Sequence, residues 1–538
     1  MPNPERPNFL FITTDQQRAD HLGCYGNAGL KTPAIDSLAA SGLAFDRFYV
    51  ACPICMPNRI AILTGRMPTV NGSRHNGIPL PLDAVTFVDV LRAGGYHTAL
   101  IGKSHAQNIT GRPVKNPDIF PQEVTGEPPP APYDDAFTSR RTGPDYEAEL
   151  MPLWHRNPGR NGPATPYYGY DFVRFANGHS DHVQGHYTGW LAERCADPDA
   201  LRGPDNALPA PGLVAPQAWR TAMPEALYPT TYVAETTKAF IDRHMDGRAD
   251  QPFFIHCSFP DPHHPFTPPG RYFDMYDPDD MVLPASFNHI DAHEPPMMQL
   301  LRQRQTEGTA ILDAPTPFLV DERQLRQILA LTFGMITMID DAIAGLLAHL
   351  EAHGLARNTV VVFTSDHGDF MGDHALMLKH GLHYEGVLRV PFVWFDPTQP
   401  NGARSDLGAS SIDIGTSVLA RAGLAPNNGN QGFDVVGLAR SNRPADRLGI
   451  LIEEDELGEH LGTEDGLRTR TFIQGDWRLT LWQGMEGGQM FDRASDPDEM
   501  NNLWFDPAFA AKKAALMEDM VREMIRLTDT APYATHIA

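Results

Sequence analysis

The chain has 538 residues, 42% apolar and 20% charged, with 43 Lys and Arg against 67 Asp and Glu and a formal net charge of −24. That length suits two or three domains, or one large α/β domain with an appendage. The composition excludes a disordered, collagenous or coiled-coil chain. The acidity argues against a nucleic-acid surface or an anionic membrane as partner, although not against a small anionic substrate in a local basic pocket.

The N-terminal apolar run Phe9–Ile12 is too short for a signal segment, and no small-residue cleavage site follows. No stretch reaches the ~20 apolar residues of a membrane span. These features predict a cytoplasmic protein without a membrane partner. Five cysteines, Cys24, Cys52, Cys55, Cys195 and Cys257, are too few and too scattered for a disulfide framework.

Four short apolar runs read as strands buried on both faces: Asn8–Thr14, His97–Ile101, Pro252–Phe259 and Thr359–Thr364. Polar residues follow each at once: Asp15, then Gly102-Lys103-Ser104-His105, then Asp261-Pro262-His263, then Ser365-Asp366-His367. Open parallel sheets bind ligands outside the carboxyl ends of their strands, so four such ends are expected to converge on one site. Thr32-Pro33 predicts a capped helix through Ala40, and Gln324–Leu350 carries the longest helical period.

The region from about 110 to 230 holds 19 of the 48 prolines, including the run Pro128–Pro130, and reads as an insertion over the sheet edge with few regular elements. Within it, His179, His182 and His186 are spaced to share a helix face. After residue 400 the pattern changes. Leu448–Glu453 and Arg470–Trp482 read as antiparallel strands flanking an acidic loop at Glu453–Glu456, taken as solvated surface, and Ala514–Leu527 as an amphipathic helix. The expected organisation is a catalytic domain over 1–400 with the insertion at 110–230. A smaller α+β unit over 401–538 follows, ending in a helix and a tail.

Cys52 and Cys55 form a CxxC pair, but no further soft ligands lie at zinc spacing. Cys55-Met56-Pro57-Asn58-Arg59 fits C-x-P-x-R and opens a helical pattern, which puts Cys55 where backbone N–H groups favour an anion. With Leu63-Thr64-Gly65-Arg66 this segment resembles the type I sulfatase signature, a family of the alkaline phosphatase superfamily. Asp15, Gly102-Lys103-Ser104-His105, Pro262-His263-His264-Pro265, Ser365-Asp366-His367-Gly368, Lys379 and Asp492–Leu503 resemble further elements of that family, in its order.

The resemblance implies an alkaline-phosphatase-like α/β fold with a mostly parallel central sheet flanked by helices, and a smaller C-terminal α+β domain. It implies that Cys55 is converted by a formylglycine-generating enzyme to Cα-formylglycine, the nucleophile in hydrolysis of small anionic sulfate esters. Asp15, Gln16, residue 55, Asp366 and His367 would hold one divalent metal ion, Ca²⁺ first, with Mn²⁺ or Mg²⁺ as alternatives. Lys103 and Lys379 would hold sulfate oxygens, and Arg59 the modified residue 55. His263, with Lys379, would donate to the leaving oxygen, and His105 would be the base that releases sulfate from residue 55. Asn76 stands where it could bind an ester oxygen or simply turn the chain before Gly77.

Asp15-Gln16 and Asp366-His367 are similar to choline sulfatases and phosphonate monoester hydrolases, whereas Lys103 and His105 are sulfatase-like. The expected activity is an arylsulfatase or alkylsulfatase with promiscuity toward phosphate diesters and phosphonate monoesters. A phosphonate monoester hydrolase or a choline-sulfatase-like enzyme is the alternative. A homodimer or tetramer, with the tail Thr528–Ala538 reaching a neighbour, is a further expectation.

Overall fold

The computed structural model describes residues 6–112, 141–457, 460–463 and 466–536. The run Pro128–Pro130 lies outside them. An eight-stranded sheet forms the centre, in the order β8-β2-β7-β6-β1-β5-β3-β4. Its strands are β1 (Asn8–Thr14), β2 (Leu43–Phe45), β3 (His97–Gly102), β4 (Phe172–Phe175), β5 (Phe253–Ser258), β6 (Thr359–Ser365), β7 (Phe392–Phe395) and β8 (Ala403–Ser405). Only β7 runs against the others. The mostly parallel α/β sheet expected from the four apolar runs is present.

Both faces of the inner strands are covered, which is why β1, β3, β5 and β6 are almost wholly buried and mostly apolar rather than alternating. The pleat sends Leu10 and Ile12 of β1 into one core, with α1 (Pro33–Ser41), α4 (Pro229–Arg248) and α5 (Glu322–Ala352). It sends Phe9 and Phe11 into the other, with α2 (Cys55–Thr64), α3 (Phe87–Ala93) and α6 (Asp413–Arg421). All four side chains are fully buried; each contributes roughly 1.5–3 kcal/mol relative to exposure. Helix α5 is long and apolar enough to cross a membrane, but it is mostly buried between α1, α4 and the sheet.

Helix α1 forms where expected but is not capped by Thr32, whose side chain makes no cap hydrogen bond. The buried carboxylate of Asp340 on α5 accepts from the N–H groups of Ala34 and Ile35, at 3.0 and 2.8 Å. A tertiary partner thus supplies what the local residue was expected to give.

In the Pro-rich region, β4 joins the edge of the central sheet and the rest is short. His179, His182 and His186 do not share a helix. A 3₁₀ turn ends at His182 and a separate helix begins at His186, whose Nδ1 faces the Phe175 N–H.

The C-terminal sheet is antiparallel, with β9 (Ile450–Glu456), β10 (Leu467–Gln474), β11 (Trp477–Trp482) and β12 (Gln489–Asp492) in order. The expected strand Arg470–Trp482 is two strands, because Gly475 at φ 58° turns the chain between them. Helix α7 (Ala510–Arg526) packs Leu516 and Met520 on one face, against Leu451, Phe472 and Leu479. The acidic loop is a strand instead. Glu453, Glu454, Asp455 and Glu456 continue β9 and are all buried. Four acids in a row read as a solvated turn; cation and histidine partners far off in sequence overrule that.

The register brings the functional strand ends to one level. Thr14 lies opposite Ser365, Thr13 opposite Ser258, and Ser258 opposite Gly102. Gly102 has φ +115°, and a Cβ there would sit 1.8 Å from the Ser258 carbonyl oxygen. Gly102→Ala should therefore destabilise the fold by roughly 3 kcal/mol, measured by chemical denaturation. A loss below about 0.5 kcal/mol would contradict this close approach.

Candidate active site

Helix α2 starts at Cys55, with Ile54 extended before it and Gly65 closing it in the left-handed conformation. Cys55 is 3% exposed. Its Sγ lies 3.1 Å from His367 Nε2 and 3.2 Å from Lys379 Nζ. Burial raises its thiol, but Lys379 and His367 outweigh this and hold it well below an ordinary thiol. Asn76 sits at the same helix end, its Oδ1 accepting the Met56 N–H at 3.2 Å.

One turn along α2, Arg59 donates through Nε to Asp366 Oδ2 at 2.7 Å and through a terminal nitrogen to Ser258 Oγ at 2.9 Å. It also lies 3.9 Å from Asp15. The strand ends complete the floor. Lys103 follows β3 and its Nζ contacts Asp15 Oδ2 and His179 Nε2, the latter at 2.8 Å. Burial opposes ionisation of Asp15, yet Lys103 and Arg59 keep its carboxyl well below the usual range.

Lys379 is a hub. Its Nζ reaches Gln16 Oε1 at 2.9 Å, His367 Nε2 at 2.9 Å and His263 Nε2 at 3.2 Å. Burial and Lys379 depress His263 to about 4, so it sits neutral. Burial opposes the charge on His367, but Asp366 raises it to about 9. His105, at φ 60°, is buried against Cys55 and lowered by burial. Asp15, Gln16, Cys55, Arg59, Lys103, His105, His263, Asp366, His367 and Lys379 are thus brought into one constellation, with Asn76 at its rim. His264 stacks on His263 and pairs with the Gln16 amide at 3.0 Å.

The residues fit a divalent cation. Donor atoms of Asp15, Cys55, Asp366 and His367 lie within 4.8 Å of one another, all buried. Asp15 Oδ1 is buried without a hydrogen-bond partner among the described residues, as an oxygen reserved for a cation would be. Gln16 is aimed by its own partners, since Nε2 donates to Asp369 and leaves Oε1 facing the site.

Several residues carry the site without a motif to announce them. Glu149 accepts from Ser104 Oγ at 2.7 Å, His105 N at 2.7 Å, Ala106 N at 3.2 Å and Tyr167 OH at 2.6 Å, and so clamps the turn that presents Lys103 and His105. His179 stacks on His263 with ring centroids 3.5 Å apart. Glu149 and His179 lie in the Pro-rich region, where no spacing singled them out for this site. Asp261 is buried, holds the Thr230 hydroxyl at 2.6 Å, and leaves its other oxygen unpartnered among the described residues. Burial, aided by Asp15 and Asp181, pushes its carboxyl up to about 7.

The chain matches the Sulfatase family over residues 7–424. It is 27% identical over 526 residues to an arylsulfatase of Clostridium perfringens, covering 96% of this chain and 94% of the relative. It is 26% identical over 529 residues to a multifunctional alkaline phosphatase superfamily protein of Trinickia caryophylli, covering 94% and 93%. The fold is similar to the crystal structure of the phosphonate monoester hydrolase of Agrobacterium radiobacter, with a TM-score of 0.73 and 23% identity over 99% of this chain and 98% of that one. The phosphonate monoester hydrolase of Silicibacter pomeroyi superposes with a TM-score of 0.74 at 21% identity, over 99% and 98%. This chain belongs to the sulfatase family, the sulfuric ester hydrolases of the alkaline phosphatase superfamily.

The position of Asp261 sets a pH dependence. Its folded pKa, near 7, exceeds the ordinary 3.8. The folded state therefore holds this proton more tightly, and the associated stability is full below pH 4 and lost as pH rises toward 7. Across that window wild type should lose up to about 1.4 kcal/mol per pH unit that Asp261→Asn does not lose. Equal slopes for the two proteins, measured by denaturant unfolding, would remove Asp261 as the source.

Proposed function

We propose that the chain hydrolyses sulfate monoesters, with an aryl or alkyl leaving group, using residue 55 in its formylglycine form and one divalent cation. The observation that carries this is the packing of Cys55 Sγ against both Lys379 Nζ and His367 Nε2, beside the Lys103–Asp15 pair. A thiol held there stands in for the oxygen nucleophile that the modification would supply. The cation, Ca²⁺ by the oxygen-rich donor set and Mn²⁺ by its histidine, would supply positive charge to the ester oxygens.

The remaining roles belong to the chain's own side chains. Lys103 and Lys379 are fixed ammonium groups on either side of residue 55, and they would orient a tetrahedral oxyanion without reorganising. Arg59 balances Asp15 and Asp366 and fixes the start of α2 against the floor. His263, neutral and stacked on His179, has Nε2 3.2 Å from Lys379 Nζ and would relay a proton from that ammonium to the leaving oxygen. His105 faces residue 55 from the turn clamped by Glu149 and would take the proton when sulfate departs.

A second reading is favoured by Gln16 and His367, which are similar to the phosphonate monoester hydrolase pattern. Phosphonate monoesters and phosphate diesters are monoanions shaped like sulfate monoesters, so they should be turned over more slowly at the same site. A kcat/KM for phenyl phosphonate monoester above that for an aryl sulfate would reverse the ranking.

The nucleophile assignment has its own test. In protein made beside a competent modifying enzyme, mass analysis of the tryptic peptide Phe48–Arg59 should show an aldehyde at position 55. Cys55→Ala should abolish turnover with an unchanged unfolding transition. Retained turnover in that variant would exclude residue 55 as nucleophile.

A further inference from the structure

Strand β9 carries its four acids on alternate faces, as the pleat requires. Glu453 and Asp455 point one way and are matched. Thr69 donates to Glu453 at 2.8 Å, and Arg470 reaches Asp455 at 2.8 Å and Glu453 at 3.8 Å. Glu454 and Glu456 point the other way, into a group of histidines. Among the described residues no lysine or arginine side chain pairs with either of them.

Their partners come from three separate parts of the chain. Glu456 meets His380 Nδ1 through Oε1 and His75 Nε2 through Oε2, the latter at 3.1 Å. Glu454 lies 3.7 Å from the same His380 nitrogen through Oε1. Its Oε2 pairs with His383 Nε2 at 2.7 Å, while His383 Nδ1 is held by Thr471 at 2.8 Å. His460 closes the group. Its ring lies 5.8 Å from that of His380, it is 8% exposed, and its Nε2 has no hydrogen-bond partner among the described residues.

Ordinary hydrogen bonding leaves this cluster incomplete. One proton shared between His380 and Glu456 accounts for that pair. It leaves a second buried carboxylate facing only imidazoles and one backbone N–H, and it leaves His460 Nε2 unanswered. Two buried carboxylates need matching positive charge, and here only protonated imidazoles, such as His75, which Glu456 raises against its burial, or a cation can supply it. A divalent cation answers both deficits together.

The geometry suits one. The donor atoms of His380, Glu454 and Glu456 lie within 4.8 Å of one another. A tetrahedral ion with bonds of roughly 2.0–2.2 Å needs its donors about 3.3–3.6 Å apart. The imidazole and two carboxylates of that group, with His75 3.1 Å from Glu456 and the His460 ring beside His380, favour a first-row ion of the zinc type over calcium, which takes oxygen donors. His383, fixed by Thr471 and paired with the far oxygen of Glu454, has the place of an outer partner that orients a ligand.

We propose that His75, His380, His460, Glu454 and Glu456 form a second metal site, separate from the catalytic one, that binds a zinc-type divalent cation. The site fastens the loop after α2 and the segment carrying Lys379 to the C-terminal sheet. His75 precedes Asn76 and His380 follows Lys379, so the ion would hold two walls of the catalytic pocket from behind.

The test is zinc stoichiometry on the full chain, stripped with a chelator and equilibrated by dialysis against Zn²⁺. His460→Ala and Glu456→Gln should each bind one zinc fewer than wild type. Asp366→Asn should lose a different one, so that Asp366→Asn/His460→Ala loses two. His460→Ala removes no side-chain hydrogen bond through Nε2, so it decides the matter if Glu456→Gln fails to fold. Zinc should also raise the unfolding temperature of wild type more than that of His460→Ala. Equal zinc counts in wild type and His460→Ala would overturn the proposal.

Discussion

The Arg59–Asp366 ion pair is the constraint on which the site depends. It is buried on both sides, with 4% and 1% of the side chains exposed. A buried pair is costly unless its partners are engaged, and here the floor engages both, with the remaining Arg59 nitrogen 3.9 Å from Asp15. Arg59 spans from Asp366 to Ser258 and the Lys103 carbonyl. Asp366 receives the Gln16 N–H at 3.1 Å. One guanidinium therefore touches the ends of β3, β5 and β6 from the first helix that packs below them. The position of Cys55 one turn earlier follows from that anchoring.

Much of the fold was legible because the relevant signal was local. The strands ending at Thr14, Gly102, Ser258 and Ser365 are mostly apolar and almost wholly buried, since helices cover both faces, and polar residues follow each at once. Helix α2 was legible in Asn58–Leu63, with Cys55 at its N-terminus and Gly65 beyond it. The residues that assemble at the strand ends were legible as a set through the family resemblance, which spacing alone could not supply.

What was not legible depends on partners distant in sequence. Glu453–Glu456 look like solvent-facing charge until Arg470, His75 and His380 are placed around them. Glu149 is one acid among many in a Pro-rich stretch, and its function lies in donors from residues 104–107, 167 and 177. His179 reads as a neighbour of His182 and His186, but a positive-φ Ser180 turns the chain and sends it to Lys103 instead. Asp340 caps a helix 305 residues away. In each case the deciding interaction is tertiary, so no window of sequence contains it.

The depth of Cys55 has a consequence for the order of events in making the protein. Its side chain is enclosed by Lys379, 324 residues further along the chain, and by His367, 312 residues along. The pocket therefore cannot close until most of the polypeptide exists, and once closed it leaves almost no surface at residue 55. Any enzyme that alters this cysteine has to meet an open chain. Biogenesis then becomes a race between chemistry at residue 55 and long-range strand pairing, which is slow in parallel sheets. A variant that folds faster could emerge less active, with an intact site and an unconverted thiol at its centre.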